Sequence, residues 1–230
     1  VTEKYGIRKY GFHGTSHRYV SRKAAEFLGR PIEDLKIIVC HLGNGASISA
    51  VDGGVAVETS MGLTPLQGLV MGTRSGDVDP GLHTFLVREG GWDINDVDTM
   101  LNKRSGMLGL CGYTDMRDVE AQNDAGNERT KLALDIYVHR LVSYIGSYYA
   151  VLGGLDAIVF TAGVGENASP VRAAVLNRLK HFGVTLDDAV NAVRSKQPRA
   201  ISTPESAVAA LVIPTNEELA MAQETLAIIS

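Results

Sequence analysis

The sequence contains few cysteines, no excess of positive charge and no long hydrophobic run. Its only two cysteines, Cys40 and Cys111, exclude a framework of several disulfides and indicate free thiols in a reducing compartment, which predicts a cytoplasmic protein. Lys and Arg number 22 against 26 Asp and Glu. A net charge of −4 offers no long-range attraction for nucleic acid, so a nucleic-acid partner is not expected.

No apolar run reaches the roughly 18 to 20 residues that a membrane-spanning helix needs, and the amino terminus has no signal-peptide pattern. We therefore expect no membrane association. The chain is long enough, at 230 residues, to bury one substantial core. Its first residue is Val1 rather than Met, which is consistent with a sequence that begins inside a longer protein.

Hydrophobic periodicity predicts a helix over residues 17–27, with Gly29 as its stop, and a three-strand antiparallel meander over residues 36–42, 46–51 and 55–59. The glycine-rich stretch 60–81 has no clear period and predicts a long ordered loop.

Residues 129–151 are apolar around most of the helical circumference and predict a central buried helix. A buried strand is expected over residues 155–161, followed by a glycine loop at 162–167 and a helix that opens at Ser169-Pro170. A last strand, 208–213, precedes a final amphipathic helix, where Thr215 and Glu218 have capping-box spacing. This order predicts an α/β domain of the ribonuclease-H-like class, with a plain mixed α/β domain as the alternative.

Residues 9–17 place two histidines and two small hydroxyls around glycines, which is atypical of a packed core. Phosphoryl transfer needs donors and cations around three oxygens, and His13, His41 and Arg74 could supply them. Arg74 lies among small residues that allow close approach, although a surface salt bridge is the alternative. His13 can donate a ring N–H in either charge state near neutrality. His17 is equally explained by a hydrogen bond at a helix entrance.

Two glycine-containing segments follow predicted strands. The turn after the first strand, His41-Leu42-Gly43-Asn44-Gly45, can present backbone N–H groups and the Asn44 amide to an anion, or can be an ordinary hairpin turn. The loop Gly163-Val164-Gly165-Glu166-Asn167 lies where open α/β folds bind ligands. It lacks the dinucleotide fingerprint, and the sequence contains no P-loop, so phosphate binding here requires another cradle.

Two further segments carry weaker signals. Asp115-Met116-Arg117 indicates a helix start with an acidic first turn and no function of its own. Glu217, at the opening of the last helix, is explained by the helix dipole, or by a role in holding magnesium directly or through water.

The motifs at residues 9–17, 41–47, 71–77, 162–168 and 214–219 together resemble those of the acetokinase family, and the match runs along essentially the whole chain. The resemblance implies one half of a two-domain acetate/sugar kinase fold, whose ribonuclease-H-like, actin-like ATPase domains close on a nucleotide. It implies the reaction of ATP with acetate to give ADP and acetyl phosphate, by in-line transfer assisted by Mg²⁺. Kinases for propionate or butyrate share this framework and remain the alternative.

The resemblance also implies roles for individual residues. His13 and Arg74 would stabilise the transition state, with His17 behind them, and Glu217 would help to place magnesium. Phe12 and Pro65 would border the pocket for the acetate methyl group. The nucleotide would contact two groups of residues, its phosphates meeting His41, Leu42, Gly43, Asn44 and Gly45, and its adenosine meeting Asp115, Met116, Arg117, Gly163, Val164, Gly165, Glu166 and Asn167.

The family opens with a first domain that supplies a substrate-binding arginine and a catalytic aspartate, and no such segment precedes Val1. The resemblance therefore implies that residues 1–218 form the carboxy-terminal nucleotide-binding and dimerisation domain of a homodimer. Residues 219–230 are expected to form a helix that packs on the missing amino-terminal domain. We expect this polypeptide alone to be inactive. The alternative from a different class is a non-catalytic nucleotide-binding or dimerisation module.

Overall fold

Six strands form one sheet in the order β3-β2-β1-β4-β6-β5 in a computed structural model, which describes residues 1–229 apart from the side chains of residues 223 and 224. β1 is parallel to β4, and β4 to β6, whereas β2, β3 and β5 are antiparallel to their neighbours. The strands are β1 Lys36–Leu42, β2 Ala46–Asp52, β3 Val55–Thr59, β4 Ala157–Thr161, β5 Arg199–Ala200 and β6 Ala209–Val212.

Helices connect the strands and cover both faces of the sheet. The longest is α7, which ends at the left-handed Gly153. Two short 3₁₀ turns lie at Ile32–Asp34 and Lys180–Phe182. The α-helices are α1 Thr2–Tyr5, α2 Gly14–Leu28, α3 Gly81–Arg88, α4 Ile94–Lys103, α5 Gly106–Cys111, α6 Met116–Asp124, α7 Glu128–Leu152, α8 Ala162–Asn167, α9 Ser169–Arg178, α10 Asp188–Ala192 and α11 Glu217–Ile229.

The core is divided by the sheet into two layers. Alternate residues of β1 face opposite ways, so that Ile38 and Cys40 pack with α7 and α9, while Ile37 and Val39 pack with α2. All four side chains are fully buried. A strand buried on both faces reads as a continuous apolar run, which is why the sequence of β1 shows no alternation.

The antiparallel meander followed by two strands parallel to β1 is the ribonuclease-H-like arrangement that the sequence predicts. The predicted meander and the helix over residues 129–151 are confirmed to within one or two residues. Residues 60–80 contain neither helix nor strand, as expected for an ordered loop. Within the described part of the chain, no helix has the length and apolar character needed to cross a membrane.

Two predictions about local structure were wrong. The expected glycine loop at 162–167 is the helix α8, because the Glu166 carboxylate accepts the Ala162 N–H at 3.0 Å and closes the turn. The expected capping residue Thr215 does not cap α11. Asn216 does so, since its side-chain oxygen accepts the Leu219 N–H at 2.9 Å, whereas the Thr215 hydroxyl is hydrogen-bonded to Ser16.

The last helix, α11, packs against α2 through the buried Ala220. Its apolar residues Leu219, Met221 and Ile228 are exposed. The expectation that residues 219–230 pack on a further domain stays a prediction, and Ser230 lies outside the described residues.

Candidate active site

The carboxyl ends of β1, β4 and β6 meet at one edge of the sheet, which is where α/β folds bind ligands. A cavity of about 710 Å³ lies beside this edge. Its lining comes from the turn after β1, the loop at 60–80, α5, the start of α6, α7, α8, and residues 168 and 194. The lining residues are Gly43, Asn44, Gly72, Met107, Thr114, Asp115, Met116, Arg117, Glu120, Tyr137, Gly163, Val164, Asn167, Ala168 and Arg194.

The structure thus brings together eight of the residues predicted to contact nucleotide, from three separate segments: Gly43, Asn44, Asp115, Met116, Arg117, Gly163, Val164 and Asn167. The predicted residues His41, Leu42, Gly45, Gly165 and Glu166 do not line the cavity. Sequence reasoning missed Glu120, Tyr137 and Arg194. Their helical or loop context carries no signal, since only the fold brings them to the cavity.

The turn after β1 is fixed to the loop that contains Arg74. The Gly72 N–H donates to the Asn44 carbonyl at 3.0 Å, and the Gly43 N–H donates to the Gly45 carbonyl at 3.1 Å. A Cβ atom on Gly72 would lie 2.0 Å from the Asn44 side-chain oxygen. Glycine at this position therefore allows the Asn44 amide to lie flat against the loop.

Arg74 and His13 converge beside Gly45. A Cβ atom placed on Gly45 would lie 3.2 Å from Arg74 Nη1 and 3.8 Å from His13 Nε2. Arg74 Nη1 donates to the Pro65 carbonyl at 3.2 Å. No carboxylate among residues 1–229 with described side chains forms an ion pair with Arg74, so the salt-bridge explanation of this arginine is not supported.

Backbone hydrogen bonds from the start of α5 hold the Arg74 loop. The Ser105 N–H donates to the Thr73 carbonyl at 3.0 Å, and the Met107 N–H donates to the Met71 carbonyl at 2.8 Å. Between them, Gly106 has a φ of 60° and lies so close that a Cβ atom would be 2.2 Å from the Met71 carbonyl oxygen. The loop is therefore built into the fold rather than free at the surface.

Three histidines form a cluster at the entrance of α2. His13 precedes the helix with a φ of 58°, a conformation that costs a residue with a side chain about 1 to 3 kcal/mol. Its Nδ1 lies 2.9 Å from the Ser47 hydroxyl, and the Nε2 of His17 lies 2.7 Å from the same oxygen. His41 Nδ1 lies 2.8 Å from the Ser16 hydroxyl. The structure therefore confirms the helix-entrance hydrogen bond that was one explanation of His17.

Burial makes this cluster neutral. Desolvation, and then the neighbouring histidines, lower the pKa of His17 to about 3 and that of His41 to about 4. Burial, and then the charge of Arg74, lower the pKa of His13. At neutral pH the site thus combines one permanent cation, Arg74, with neutral imidazoles that can each donate one N–H, an arrangement suited to anionic oxygens.

Gly165 and Glu166 do not line the cavity, but their hydrogen bonds stabilise the segments that do. Glu166 Oε1 accepts the N–H of Ala162 at 3.0 Å and that of Thr215 at 3.3 Å, which joins the ends of β4 and β6. The buried Arg172 donates to the Gly165 and Glu166 carbonyls, each at 2.9 Å, and to Asn191 at 2.8 Å. Burial raises the pKa of Glu166. No local pattern distinguishes Arg172, which lies in an ordinary helical segment.

The remaining predicted site residues lie around this edge. Phe12 is half-buried against the core layer that contains α7, and the carbonyl of Pro65 contacts Arg74. Glu217 is the first residue of α11 and is partly buried. Among the described residues no group of three His, Cys, Asp or Glu side chains could hold a metal ion. A single carboxylate at a phosphate site nevertheless fits Mg²⁺, which usually binds one or two carboxylates together with substrate phosphates and water.

Comparison with known proteins identifies the relatives of this chain. The sequence profile of the acetokinase family matches residues 1–223. The chain is 57% identical to an acetate kinase of Streptomyces avermitilis over 229 residues, which cover 100% of this chain and 56% of that protein. The chain therefore spans about half the length of the curated relatives that it matches.

Solved structures show the same likeness. The crystal structure of Porphyromonas gingivalis acetate kinase matches with a TM-score of 0.96 and 46% identity, and the match covers 100% of this chain and 58% of that one. A propionate kinase from Francisella tularensis matches with a TM-score of 0.91, also at 46% identity, over 97% of this chain and 56% of that one.

Proposed function

This chain belongs to the acetokinase family, and from that premise we propose that it carries half of the active site for the reaction of ATP with acetate to give ADP and acetyl phosphate. The reaction is reversible phosphoryl transfer to a carboxylate. Because the chain spans about half the length of its relatives, we propose that turnover requires a further domain.

The observation that carries this proposal is the convergence of Arg74 and His13 beside Gly45, in the turn whose other residues, Gly43 and Asn44, line the cavity. Adenosine would lie in the cavity between the start of α6 and α8. The phosphates would then run along the turn formed by residues 43–45, where the Asn44 amide and the backbone N–H groups other than that of Gly43 can bind anions. In this direction the terminal phosphoryl group would lie beside Arg74 and His13.

Each group then has a defined task. Arg74 can fork onto two phosphoryl oxygens, and neutral His13 can donate an N–H to a third. During transfer, negative charge is spread over these oxygens and develops on the leaving oxygen, so fixed donors lower the barrier without further reorganisation. Glu217 would hold Mg²⁺ through its carboxylate, and the ion, when bound with the nucleotide, neutralises phosphate charge.

Phe12 and Pro65 would border the methyl group of the acceptor. A second candidate function is phosphorylation of propionate or butyrate, favoured by the similarity to a propionate kinase structure at the same 46% identity as to an acetate kinase structure. One additional methylene in such a pocket is worth only about 1 to 3 kcal/mol. Competition between acetate, propionate and butyrate for phosphorylation by the assembled enzyme therefore decides between the candidates.

Calorimetric titration of the chain with Mg-ADP and Mg-ATP tests the nucleotide site directly. We expect Asn44→Ala to lose binding, because this residue lies at both the cavity and the anion-binding turn. Asn95→Ala, an exposed asparagine on α4 outside the cavity, is the matched control and should bind as the wild type does. A folded wild-type chain that binds neither nucleotide would contradict a self-sufficient site.

Supplying the amino-terminal half of a curated relative in trans tests the reaction. We expect acetyl phosphate to form, and His13→Ala and Arg74→Ala to lower turnover by about 10²- to 10³-fold with nucleotide affinity largely retained. Nucleotide binding without any product, in an assembled complex, would instead support the non-catalytic module.

We also propose that the protein forms a homodimer through this domain. The outer edge of β3 supports this, since it is unpaired within the described chain and keeps Val55 and Val57 at 65% and 50% exposure. Sedimentation analysis of the wild type and of a Val55→Lys, Val57→Lys variant would test this edge. A monomeric wild type would contradict the proposed dimer. A variant that remains dimeric would show that the interface does not include the β3 edge.

A further inference from the structure

Ser47 lies between two histidines of the cluster and contacts both with one atom. Its hydroxyl oxygen is 2.9 Å from His13 Nδ1 and 2.7 Å from His17 Nε2. The side chain is fully buried on β2. No third hydrogen-bond partner of this hydroxyl exists among the described residues, so its geometry is set by the two imidazoles.

A serine hydroxyl has one proton and can donate it to one acceptor only. If Ser47 donates its proton to the contacting nitrogen of one histidine, the contacting nitrogen of the other histidine must carry a proton and donate it to Ser47. Two arrangements satisfy both contacts. In the first, His17 donates to Ser47 and Ser47 donates to His13; in the second, the direction is reversed.

The other nitrogen of His17 distinguishes these arrangements. His17 Nδ1 is buried and has no hydrogen-bond partner among the described residues. A neutral imidazole carries a proton on one nitrogen only, so the reversed direction would place an N–H at this position with no acceptor. Buried N–H groups without an acceptor are rare, whereas an unpaired acceptor is tolerated more often. The first direction leaves only a lone pair there.

We propose that His17 is a positioning residue that, through Ser47, fixes the proton of His13 on Nε2. In this arrangement His17 Nε2–H donates to Ser47, the Ser47 hydroxyl donates to His13 Nδ1, and His13 is left with its N–H on the nitrogen that faces Gly45 and Arg74. The opposite tautomer would present a lone pair at that point. A lone pair repels a phosphoryl oxygen, so the direction of this relay decides whether His13 is a donor.

The neutral state that this relay needs is consistent with the surroundings of His17. The titratable groups that act on it are His13, which precedes α2, and His41 on β1, and both disfavour its protonation. The positive charge of Arg74 likewise disfavours protonation of His13. Only the catalytic consequence of the relay rests on the proposed function; the tautomer itself is a property of the folded chain.

Long-range ¹⁵N–¹H correlation spectra of the imidazole rings test the proposal, because they distinguish protonated from unprotonated ring nitrogens. In the unliganded 230-residue chain at pH 7.5, we expect His13 and His17 each to be a single neutral tautomer protonated on Nε2. The His13→Gln and His17→Gln spectra assign the rings by the signals that they lack. A wild-type His13 protonated on Nδ1 would overturn the proposal, whatever any variant shows.

Three variants then test the relay itself. Ser47→Ala and His17→Phe should convert the His13 signals to a mixture of tautomers, and His17→Gln, whose amide N–H can still reach Ser47, should preserve the single form. Ser49→Ala is the matched control, since Ser49 is buried on the same strand but is hydrogen-bonded to Thr59. An unchanged His13 tautomer in a folded His17→Phe variant would exclude the positioning role. None of these readouts requires nucleotide, acetate or turnover, so failure of the kinase proposal would leave them intact.

Discussion

The imidazole rings of His13 and His41 are stacked, with centroids 4.0 Å apart and planes inclined by 15°. One ring precedes α2, and the other lies on β1. Protonation of either ring would place a positive charge against its neighbour, next to the permanent charge of Arg74. Burial lowers the pKa of both rings; Arg74 lowers that of His13 further, and His13 lowers that of His41 further, so both rings are neutral at pH 7.

The histidine cluster predicts a loss of stability on mild acidification. The pKa values of His17 and His41 are about 3 and about 4 in the folded chain, against about 6.5 in the unfolded chain. The unfolded state therefore binds protons first, and the free energy of unfolding falls as the pH decreases below about 6.5. Each histidine contributes a slope of about 1.4 kcal/mol per pH unit until its folded pKa is reached.

Urea unfolding between pH 7.5 and pH 5 measures this slope. We expect a shallower pH dependence for His17→Gln, since one depressed pKa is removed. His139→Gln, on the exposed side of α7, should keep the wild-type slope. Equal slopes for His17→Gln and the wild type would contradict a neutral, buried His17.

Gly45→Ala should impair turnover of the assembled enzyme without unfolding the chain. The added Cβ would lie 3.2 Å from Arg74 Nη1, so the guanidinium must move. We expect turnover to fall about 10-fold, since the guanidinium must shift by a few tenths of an ångström and a displacement of about 1 Å at the chemistry can cost about 10²-fold. Gly146→Ala on α7 meets no atom within 4 Å and should retain activity. Full activity of Gly45→Ala would show that the position of Arg74 is not critical.

Arg172→Lys should destabilise the fold and weaken ADP binding. The lysine cannot reproduce the donors that satisfy the Gly165 and Glu166 carbonyls, so about 2 to 4 kcal/mol of stability should be lost. Arg178→Lys is the matched control on the same helix, where an exposed ion pair with Asp135 is worth less than about 1 kcal/mol. Urea denaturation compares the two, and equal losses would contradict the bracing role.

Glu166→Ala should loosen the junction between β4 and β6. Two backbone N–H groups, those of Ala162 and Thr215, lose their acceptor, which predicts a loss of about 1 to 3 kcal/mol. Glu205→Ala, at an exposed position, should change stability by less than about 0.5 kcal/mol. Hydrogen exchange of the Ala162 and Thr215 amides reports this loosening locally. Unchanged protection of both amides in Glu166→Ala would exclude it.

Local patterns in the sequence were sufficient to predict the meander and α7, because the spacing of apolar residues and the turn residues there match the segments that the fold buries. The helices α3 and α5 were not predicted. α3 is only eight residues long and buries none of them, and α5 contains two glycines in six residues. Long-range backbone hydrogen bonds to residues 71 and 72 hold α5 in place, and no local signal encodes them.

The site divides in the same way. Asn44 and Gly163 were predicted from glycine-containing segments that follow strands, because backbone groups free for a ligand require special local residues. Asp115 indicated only a helix start, and its place at the nucleotide was implied by the family resemblance alone. Tyr137 and Arg172 occupy unremarkable helical positions and reach the site only through packing. The role of Ser47 depends on the entrance of α2 lying over β2, which no sequence period encodes.

The hydrogen bond between Ser16 and Thr215 joins the start of α2 to the segment that follows the last strand. During synthesis the amino-terminal meander can pair as soon as it leaves the ribosome, since its three strands are adjacent in the sequence. The contact from Thr215 to Ser16, the serine that is hydrogen-bonded to His41, forms only after residue 215 has been synthesised. A nascent chain stalled before that residue would therefore present the meander while the histidine cluster lacks this support.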